Sequence, residues 1–201
     1  MFFLPSRRYR ASPVAVATFA IGTFLLPLPA LSQNPADGVS GLRAAVTGRL
    51  ALIPDVARHK WNTAAVIADP AREQRVIEAA VVYGRSLGLS DRITQVAIEA
   101  QIAAAKDMQH ELIQSWRERG AVQFSPVPDF IRETRPKIEK ATDHLIGELG
   151  AALDLLTTCP GATALRQPPT GGPASASVWS RAVEGLIQSA GGPPEHACPP
   201  P

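Results

Sequence analysis

The spacing of apolar residues is the feature that most constrains what this chain of 201 residues can fold into. Between Asp37 and Ala190, alanine, leucine, isoleucine and valine recur every three or four residues, which is the spacing of one face of an α-helix. No stretch shows the alternation and the β-branched and aromatic enrichment of a strand. The pattern predicts an all-α fold, and the length suits one helical bundle around one core.

Capping residues, prolines and glycines indicate where the helices begin and end. Asp69 followed by Pro70 is typical of a helix start, since aspartate caps the first turn and proline fits inside it. A loop rich in proline and glycine is expected over residues 160–174. The predicted helices extend from Asp37 or Ser40 to about Ile67 with a kink or restart at Pro54, from Asp69 to Gly88, from Ser90 to Arg119, from Asp129 to Pro160, and from Ala176 to Ala190.

Residues 1–32 have the composition of a secretory signal peptide. A basic start precedes an apolar run from Val14 to Leu26, and small residues end the segment at Ser32. The run is about 13 residues long, shorter than the ~20 that a membrane-spanning helix needs, which favours cleavage over a retained anchor. The pair Arg7 and Arg8 lacks the following apolar residues of a twin-arginine signal, so general secretion is favoured. We expect a secreted or periplasmic domain over residues 33–201, with no membrane contact after cleavage.

The net charge excludes one large class of partners. The formal charge of the chain is +2, of which Arg7, Arg8 and Arg10 contribute +3, and no acidic residue precedes Asp37. The chain without its leader therefore has a formal charge of −1. Nucleic acid binding needs a dense basic face, so nucleic acid is not expected as a partner.

The chain has two cysteines, Cys159 and Cys198, which lie 39 residues apart. An exported chain reaches an oxidising compartment in which a single pair can form a disulfide, and this bridge would tie the tail back to the bundle. Two free thiols are the alternative. One cysteine pair cannot supply the four ligands of a structural zinc site, and no metal site is predicted.

Polar residues that interrupt the apolar stripes are candidates for a functional site, because an unpaired charge is costly to bury. Arg49 lies on the stripe of Leu42 and Ile53. Lys60 follows Arg49 by almost three helical turns and shares its face if Pro54 only kinks the helix. The other interruptions of this kind are Arg72, Gln109 and Arg135.

Taken singly, each of these residues is explained by a long polar side chain that reaches solvent from an apolar stem. Taken together, several cations and one amide directed into one bundle, with few carboxylates on the same stripes, predict a cavity for a small anion. Guanidinium groups suit carboxylates in particular, because their planar fork can bind both oxygens.

These residues and their spacing resemble the all-helical chorismate mutases, and specifically their secreted, periplasmic-type branch. The similarity covers residues 37–159, the expected catalytic part, well and the C-terminal extension 160–201 loosely. The leader and the two distal cysteines are also similar to that branch. The matching residues are Arg49-Leu50, Lys60-Trp61, Asp69-Pro70-Ala71-Arg72-Glu73, Gln101-Ile102 with Gln109, and Arg135-Pro136-Lys137-Ile138.

The resemblance implies the rearrangement of chorismate to prephenate, in which one C–O bond breaks while a C–C bond forms. This reaction needs no nucleophile, base, metal or cofactor. A protein accelerates it by holding the flexible dianion in a compact chair and by stabilising the negative charge that develops on the ether oxygen.

The resemblance also implies roles for individual residues. Arg49, Arg72 and Arg135 would clamp the two carboxylates. Lys60 would bridge a carboxylate and the ether oxygen, and Gln109 would donate a second hydrogen bond to that oxygen. The residues expected to act on the reacting bond are therefore Lys60 and Gln109, with Arg49 beside them.

The resemblance implies further contacts around these residues. Glu73 would accept a hydrogen bond from the ring hydroxyl, assisted by the backbone near Asp69. Ala105 stands where the family commonly has a small hydroxyl residue, so one carboxylate contact would be missing. The secreted branch also implies a homodimer in which each chain builds its own pocket.

Two other functions remain as alternatives. A non-catalytic exported helical module that binds a small dicarboxylate or a protein partner is favoured by Ala105. A hydrolase is disfavoured because the chain has no Gly-x-Ser-x-Gly motif, and His110-Glu111 is followed by Gln114 where a zinc protease helix needs a second histidine.

Overall fold

The computed structural model describes residues 34–199, which are helical and contain no strand. The all-α prediction is confirmed. The predicted signal peptide, with its cleavage after Ser32, lies outside the described residues. Within 34–199, no helix is long and apolar enough to cross a membrane. The helices are α1 (Pro35–Gly38), α2 (Ser40–Leu50), α3 (Ile53–Thr63), α4 (Pro70–Ser86), α5 (Asp91–Glu118), α6 (Arg135–Leu156), α7 (Cys159–Arg166) and α8 (Ala176–Ser189), with a π-helical turn over Phe130–Thr134 and a 3-10 turn over Glu195–Ala197.

The first predicted helix is three helices in the structure. The restart at Pro54 is confirmed, because α2 ends at Leu50 and Pro54 lies in the first turn of α3. The predicted end near Ile67 is wrong. Helix α3 stops at Thr63, since Ala64 has a left-handed backbone with φ 54°. Alanine is rare in that conformation and gave no signal of a helix end.

The starts of α4 and α5 agree with the predicted caps. The side chain of Asp69 accepts a hydrogen bond from the N–H of Arg72 at 3.0 Å, and that of Ser90 accepts one from Ile93 at 3.3 Å. Each bond satisfies an amide that the first helical turn leaves without a partner. Helix α5, with 28 residues, packs along α8, α4 and α3 and is the central element of the bundle.

The core lies between α2, α5, α6 and α8. Leu42 and Leu50 of α2 meet Leu145 and Leu149 of α6, and these side chains are fully buried with Ile98 of α5. The stripe spacing of the sequence thus agrees with the buried faces. On α4 it does not, because Val82 and Tyr83 are exposed.

The predicted loop over residues 160–174 is wrong in its first half, where α7 forms. Thr158 caps this helix and Pro160 lies in its first turn, so the proline starts a helix instead of breaking one. At Gly161 a Cβ atom would lie 2.1 Å from the carbonyl oxygen of Leu155, so only glycine fits there. The disulfide Cys159–Cys198 joins the start of α7 to the tail, with its Cα atoms 5.3 Å apart, as predicted.

Candidate functional site

One cavity brings together the residues that the sequence singled out. It has a volume of about 480 Å³ and lies between α2, α3, α4, α5, the π-helical turn and α6. Such a volume suits a small molecule. Apolar side chains such as Ile53, Val76, Ile102 and Ile138 form much of its wall. Its lining includes Arg49, Lys60, Asp69, Arg72, Glu73, Ala105, Gln109 and Arg135.

Arg49 is a buried cation in the last turn of α2, with 3% of its surface exposed. Its guanidinium donates hydrogen bonds to Thr142 Oγ1 at 3.3 Å and to the carbonyl oxygen of Gln101 at 3.1 Å. It forms no ion pair with any carboxylate of residues 34–199. Burial lowers its pKa to about 10, so the group is still charged at neutral pH. Its charge therefore has no internal counterion in the described part of the chain.

Lys60 reaches the same cavity from α3. Its Nζ donates a hydrogen bond to the carbonyl oxygen of Ile67 at 2.5 Å. Burial lowers the pKa of Lys60, although the negative charges of Asp69 and Glu73 oppose this shift. Arg49 is on α2 and Lys60 is on α3, because the helix restarts just before Pro54. Both residues nevertheless line the same cavity.

The N-terminus of α4 supplies the acidic side of the site. Asp69 caps the helix with its carboxylate, and its own N–H donates to Glu73 Oε1 at 3.2 Å. Asp69 Oδ1 is therefore occupied by the helix backbone, and the carboxylates of Asp69 and Glu73 both belong to residues that line the cavity. Burial and the nearby charge of Arg135 lower the pKa of Arg72, whose contact with Glu139 is long at 3.9 Å.

Arg135, the first residue of α6, is held by an aromatic stack. Its guanidinium carbon lies 5.2 Å from the centre of the Phe130 ring, and Phe130 stacks on His59 with ring centres 4.4 Å apart. The Nε atom of Arg135 is buried without a hydrogen-bond partner among the described residues. The planar contact fixes the guanidinium and leaves its donors available.

Gln109 and Ala105 form the neutral wall on α5, and both are buried. Gln109 Nε2 donates to the carbonyl oxygen of Ala105 at 2.9 Å, which uses one of its two hydrogens. Its Oε1 is buried without a partner in the described structure. The methyl group of Ala105 offers no polar contact to the cavity.

The sequence reasoning missed Lys106, His59 and Phe130, which also line the cavity. Lys106 Nζ lies 2.8 Å from Glu73 Oε2. Its position four residues after Ile102 and three before Gln109 places it on the cavity side of α5, and this spacing could have revealed it. His59 and Phe130 gave no such signal, because their contact depends on the fold of the loop between α5 and α6.

Several known proteins are similar to this chain in sequence or in fold. No family model matches the chain. It is 27% identical over 108 residues to the secreted chorismate mutase of Yersinia pestis, covering 54% of this chain and 57% of that relative. It is 27% identical over 139 residues to the secreted chorismate mutase of Mycolicibacterium smegmatis, covering 69% and 74%. The chain thus spans little more than half the length of the first of these relatives.

Solved structures share the fold. The chorismate mutase of Burkholderia phymatum superposes with a TM-score of 0.69 at 23% identity, covering 76% of this chain and 97% of that one. That of Burkholderia thailandensis has a TM-score of 0.64 at 27% identity, covering 76% and 98%.

The chain therefore has the fold of the all-helical chorismate mutases. Within that class its sequence is similar to the secreted chorismate mutases, as its residues predicted.

Proposed function

We propose that this protein is a secreted chorismate mutase that rearranges chorismate to prephenate. The observation that carries the proposal is the convergence of Arg49, Lys60, Arg72 and Arg135 with the amide of Gln109 on one cavity. The deepest of these cations, Arg49, has no counterion among the described residues. A small dianion would supply the missing negative charge.

The arginines can clamp two carboxylates. Two protein hydrogen bonds hold Arg49, and the ring of Phe130 packs against Arg135. Little side-chain conformational entropy is therefore lost when a ligand binds. Arg72 and Arg135 lie close enough for mutual repulsion to lower the pKa of Arg72 in addition to burial. A bound carboxylate would relieve that repulsion. This clamp would hold the substrate in the folded geometry that the reaction requires.

Lys60 and Gln109 are placed to stabilise the breaking C–O bond. The Lys60 ammonium has three donors and uses one on Ile67, and Gln109 retains one amide hydrogen. Both donors belong to groups that are partly or fully buried, where interactions with developing charge are stronger than in water. A millionfold acceleration requires roughly 8 kcal/mol of preferential transition-state binding, which several such contacts can supply.

Glu73 is the acceptor for a ligand hydroxyl in this proposal. Its ionised carboxylate has more lone pairs than its two protein partners occupy. Ala105 contributes no hydrogen bond, so the clamp lacks a contact that a hydroxyl side chain would provide.

The test is to mix the purified mature protein with chorismate and to follow the loss of chorismate and the appearance of prephenate. We expect conversion well above the uncatalysed rate. The variants K60A and Q109A should each lower kcat by about a hundredfold or more, with helical content unchanged in circular dichroism. A native protein without turnover would refute the proposal.

The alternative of a non-catalytic module rests on Ala105, which removes one polar contact from the cavity. That module would still bind chorismate. Thermal stabilisation of the protein by chorismate without any prephenate would select this alternative.

We further propose export through a signal peptide over residues 1–32. The composition of that segment, the disulfide Cys159–Cys198 and the secreted relatives support it. Expression in a bacterial host should give an exported product whose N-terminal sequence begins near Gln33. A product that retains Met1 would contradict the proposal.

We also propose a homodimer. Val82 on α4 is 65% exposed and Leu87, directly after α4, is 47% exposed, and the Tyr83 side chain on α4 is exposed as well. An apolar face of this kind is typical of a contact between subunits. Light scattering coupled to gel filtration should give twice the mass of the mature chain, and V82E should reduce it to that of one chain.

A further inference from the structure

Lys106 connects two elements of the site. Its Nζ, on α5, lies 2.8 Å from Glu73 Oε2, on α4, and donates a hydrogen bond to it. The other oxygen of Glu73 accepts the N–H of Asp69. About a third of the Lys106 side chain and a quarter of the Glu73 side chain are exposed. Both oxygens of the carboxylate are thus held, from opposite sides, at the edge of the cavity.

This arrangement fixes the direction of the Glu73 carboxylate. A free glutamate has three rotatable bonds, and two hydrogen bonds from different elements restrict them. The carboxylate keeps unused lone pairs, because each oxygen can accept two hydrogen bonds. It can therefore accept a ligand hydroxyl without leaving its position.

The pairing also affects Lys60. Lys60 and Glu73 line the same cavity and attract each other, yet they form no ion pair in the described structure. The Nζ of Lys60 bonds the carbonyl oxygen of Ile67 instead. Lys106 thus pairs with a carboxylate whose charge also attracts Lys60.

We propose that Lys106 is a positioning residue, which orients Glu73 and thereby leaves Lys60 free for an anionic ligand. The kinetic consequences rest on the proposed chorismate mutase activity. The effect on Glu73 is a property of the protein alone and can be measured without turnover.

The charges around Glu73 determine its titration. Burial raises the pKa of Glu73, but hydrogen bonds from Lys106 and from the N–H of Asp69, with the charges of Lys106 and Lys60, outweigh burial and lower it. Removing Lys106 should therefore raise this pKa. The titratable and charged groups that line the cavity with Glu73 are Arg49 on α2, His59 and Lys60 on α3, Asp69 at the N-cap of α4, Arg72 on α4, Lys106 on α5, and Arg135 on α6.

The experiment compares K106M, K106R and K140M with the native protein. Lys140 is the matched control, because it is an exposed lysine outside the cavity. We expect K106M to lower kcat/KM for chorismate about tenfold at pH 7, mainly through KM, since the ligand must then separate Lys60 from Glu73. We expect K106R to restore most of this loss and K140M to behave as native.

The pH profile separates positioning from a merely structural role. In K106M the acid limb of kcat/KM should move to higher pH by about one unit, and K106R should move it back. The variant E73Q should remove the limb that Glu73 contributes. An acid limb that is the same in K106M and the native protein would overturn the inference.

A titration of the Glu73 carboxyl by carbon-13 NMR gives the readout that is independent of turnover. E73Q assigns the signal by its loss. A Glu73 pKa that rises in K106M and returns in K106R supports the inference, even if the native protein converts no chorismate. An unchanged Glu73 pKa together with a raised KM would show that Lys106 only contacts the ligand, and would overturn it. If K106M does not fold, K106Q takes its place in both measurements.

Discussion

Arg166, beside α8, and Arg49, in the cavity, differ in whether the protein provides a carboxylate for the positive charge. Arg166 donates to both oxygens of Glu184, at 2.6 and 3.0 Å, and to the carbonyl oxygen of Pro193 at 2.8 Å. The hydrogen bond and the negative charge of Glu184 raise the pKa of Arg166, and the charge of Glu195 adds to this shift. Arg49 has two neutral acceptors and no carboxylate within residues 34–199, and burial lowers its pKa to about 10.

The presence or absence of a carboxylate partner distinguishes a structural cation, Arg166, from a cation that we assign to ligand binding, Arg49. Arg166 has its counterion inside the protein and ties α7, α8 and the tail together. The environment of Arg49 costs stability, because a buried charge without a counterion is poorly solvated. A buried cation of this kind is expected where a bound ligand supplies the missing negative charge. The predictions below test this distinction.

The largest effect is expected from R49M. Loss of a preorganised donor to the substrate should lower kcat/KM for chorismate by roughly a thousandfold. The free energy of unfolding should fall by no more than about 1 kcal/mol, since methionine removes an unpaired buried charge. Chorismate turnover and urea denaturation measure the two quantities.

The matched control for R49M is R43M. Arg43 stands on the same helix and donates to the carbonyl oxygen of Ala164, away from the cavity. R43M should keep native turnover. A strongly destabilised R49M, or an equal loss of activity in R43M, would contradict the assignment of Arg49 to the ligand.

The next effect is expected in the other region, from the double variant C159S/C198S. On the chain-entropy model, loss of the disulfide should lower the free energy of unfolding by about 3–4 kcal/mol. Turnover measured well below the melting temperature should stay native, because the bridge lies outside the cavity lining. Reduction of the native protein with dithiothreitol should reproduce the stability loss. A loss of activity in the folded variant would show that the two regions are coupled.

A smaller effect is expected from R166M, which leaves Glu184 without its partner. The free energy of unfolding should fall by about 1–3 kcal/mol, with turnover unchanged. The control is R181M, since the pair of Arg181 with Asp107 is solvent-exposed and should contribute less than about 1 kcal/mol. Equal stability losses in the two variants would remove the contrast between Arg166 and a surface arginine.

The smallest effect is expected from A105S. A serine hydroxyl at this position can donate the missing hydrogen bond to a carboxylate, which should lower KM for chorismate by up to about tenfold. A105G, which adds no donor, is the control. A raised KM in A105S would show that the methyl group fills space that the ligand needs.

Local sequence signals predicted much of the fold, and they failed where the backbone depends on packing. Asp69 and Ser90 marked their helix starts because capping needs only residues within one turn. The end of α3 at Ala64 was missed, since an alanine gives no warning of a left-handed backbone. Helix α7 was missed because Pro160 and Gly161 favour a loop by composition, and only their packing against α6 makes them helical.

The site shows the same division. The stripe spacing selected Arg49, Arg72, Gln109 and Arg135, and it selected Lys60 on the condition that Pro54 only kinks the helix. The family resemblance supplied the roles of Glu73 and Asp69. The stack of Phe130 on His59 was missed because the two rings come from separate elements. Lys106 was missed although its spacing on α5 places it on the cavity side.

The sequence by itself determined the all-helical class, the starts of α4, α5 and α8 and which polar residues interrupt the apolar stripes, because those properties depend on neighbours within a few residues. Only the tertiary structure decided which cation has a carboxylate beside it. Glu184 meets Arg166 and Glu73 meets Lys106 across separate helices, whereas no acid of residues 34–199 reaches Arg49. Ion pairing depends on distances of a few ångströms between distant parts of the chain, and helix packing sets those distances.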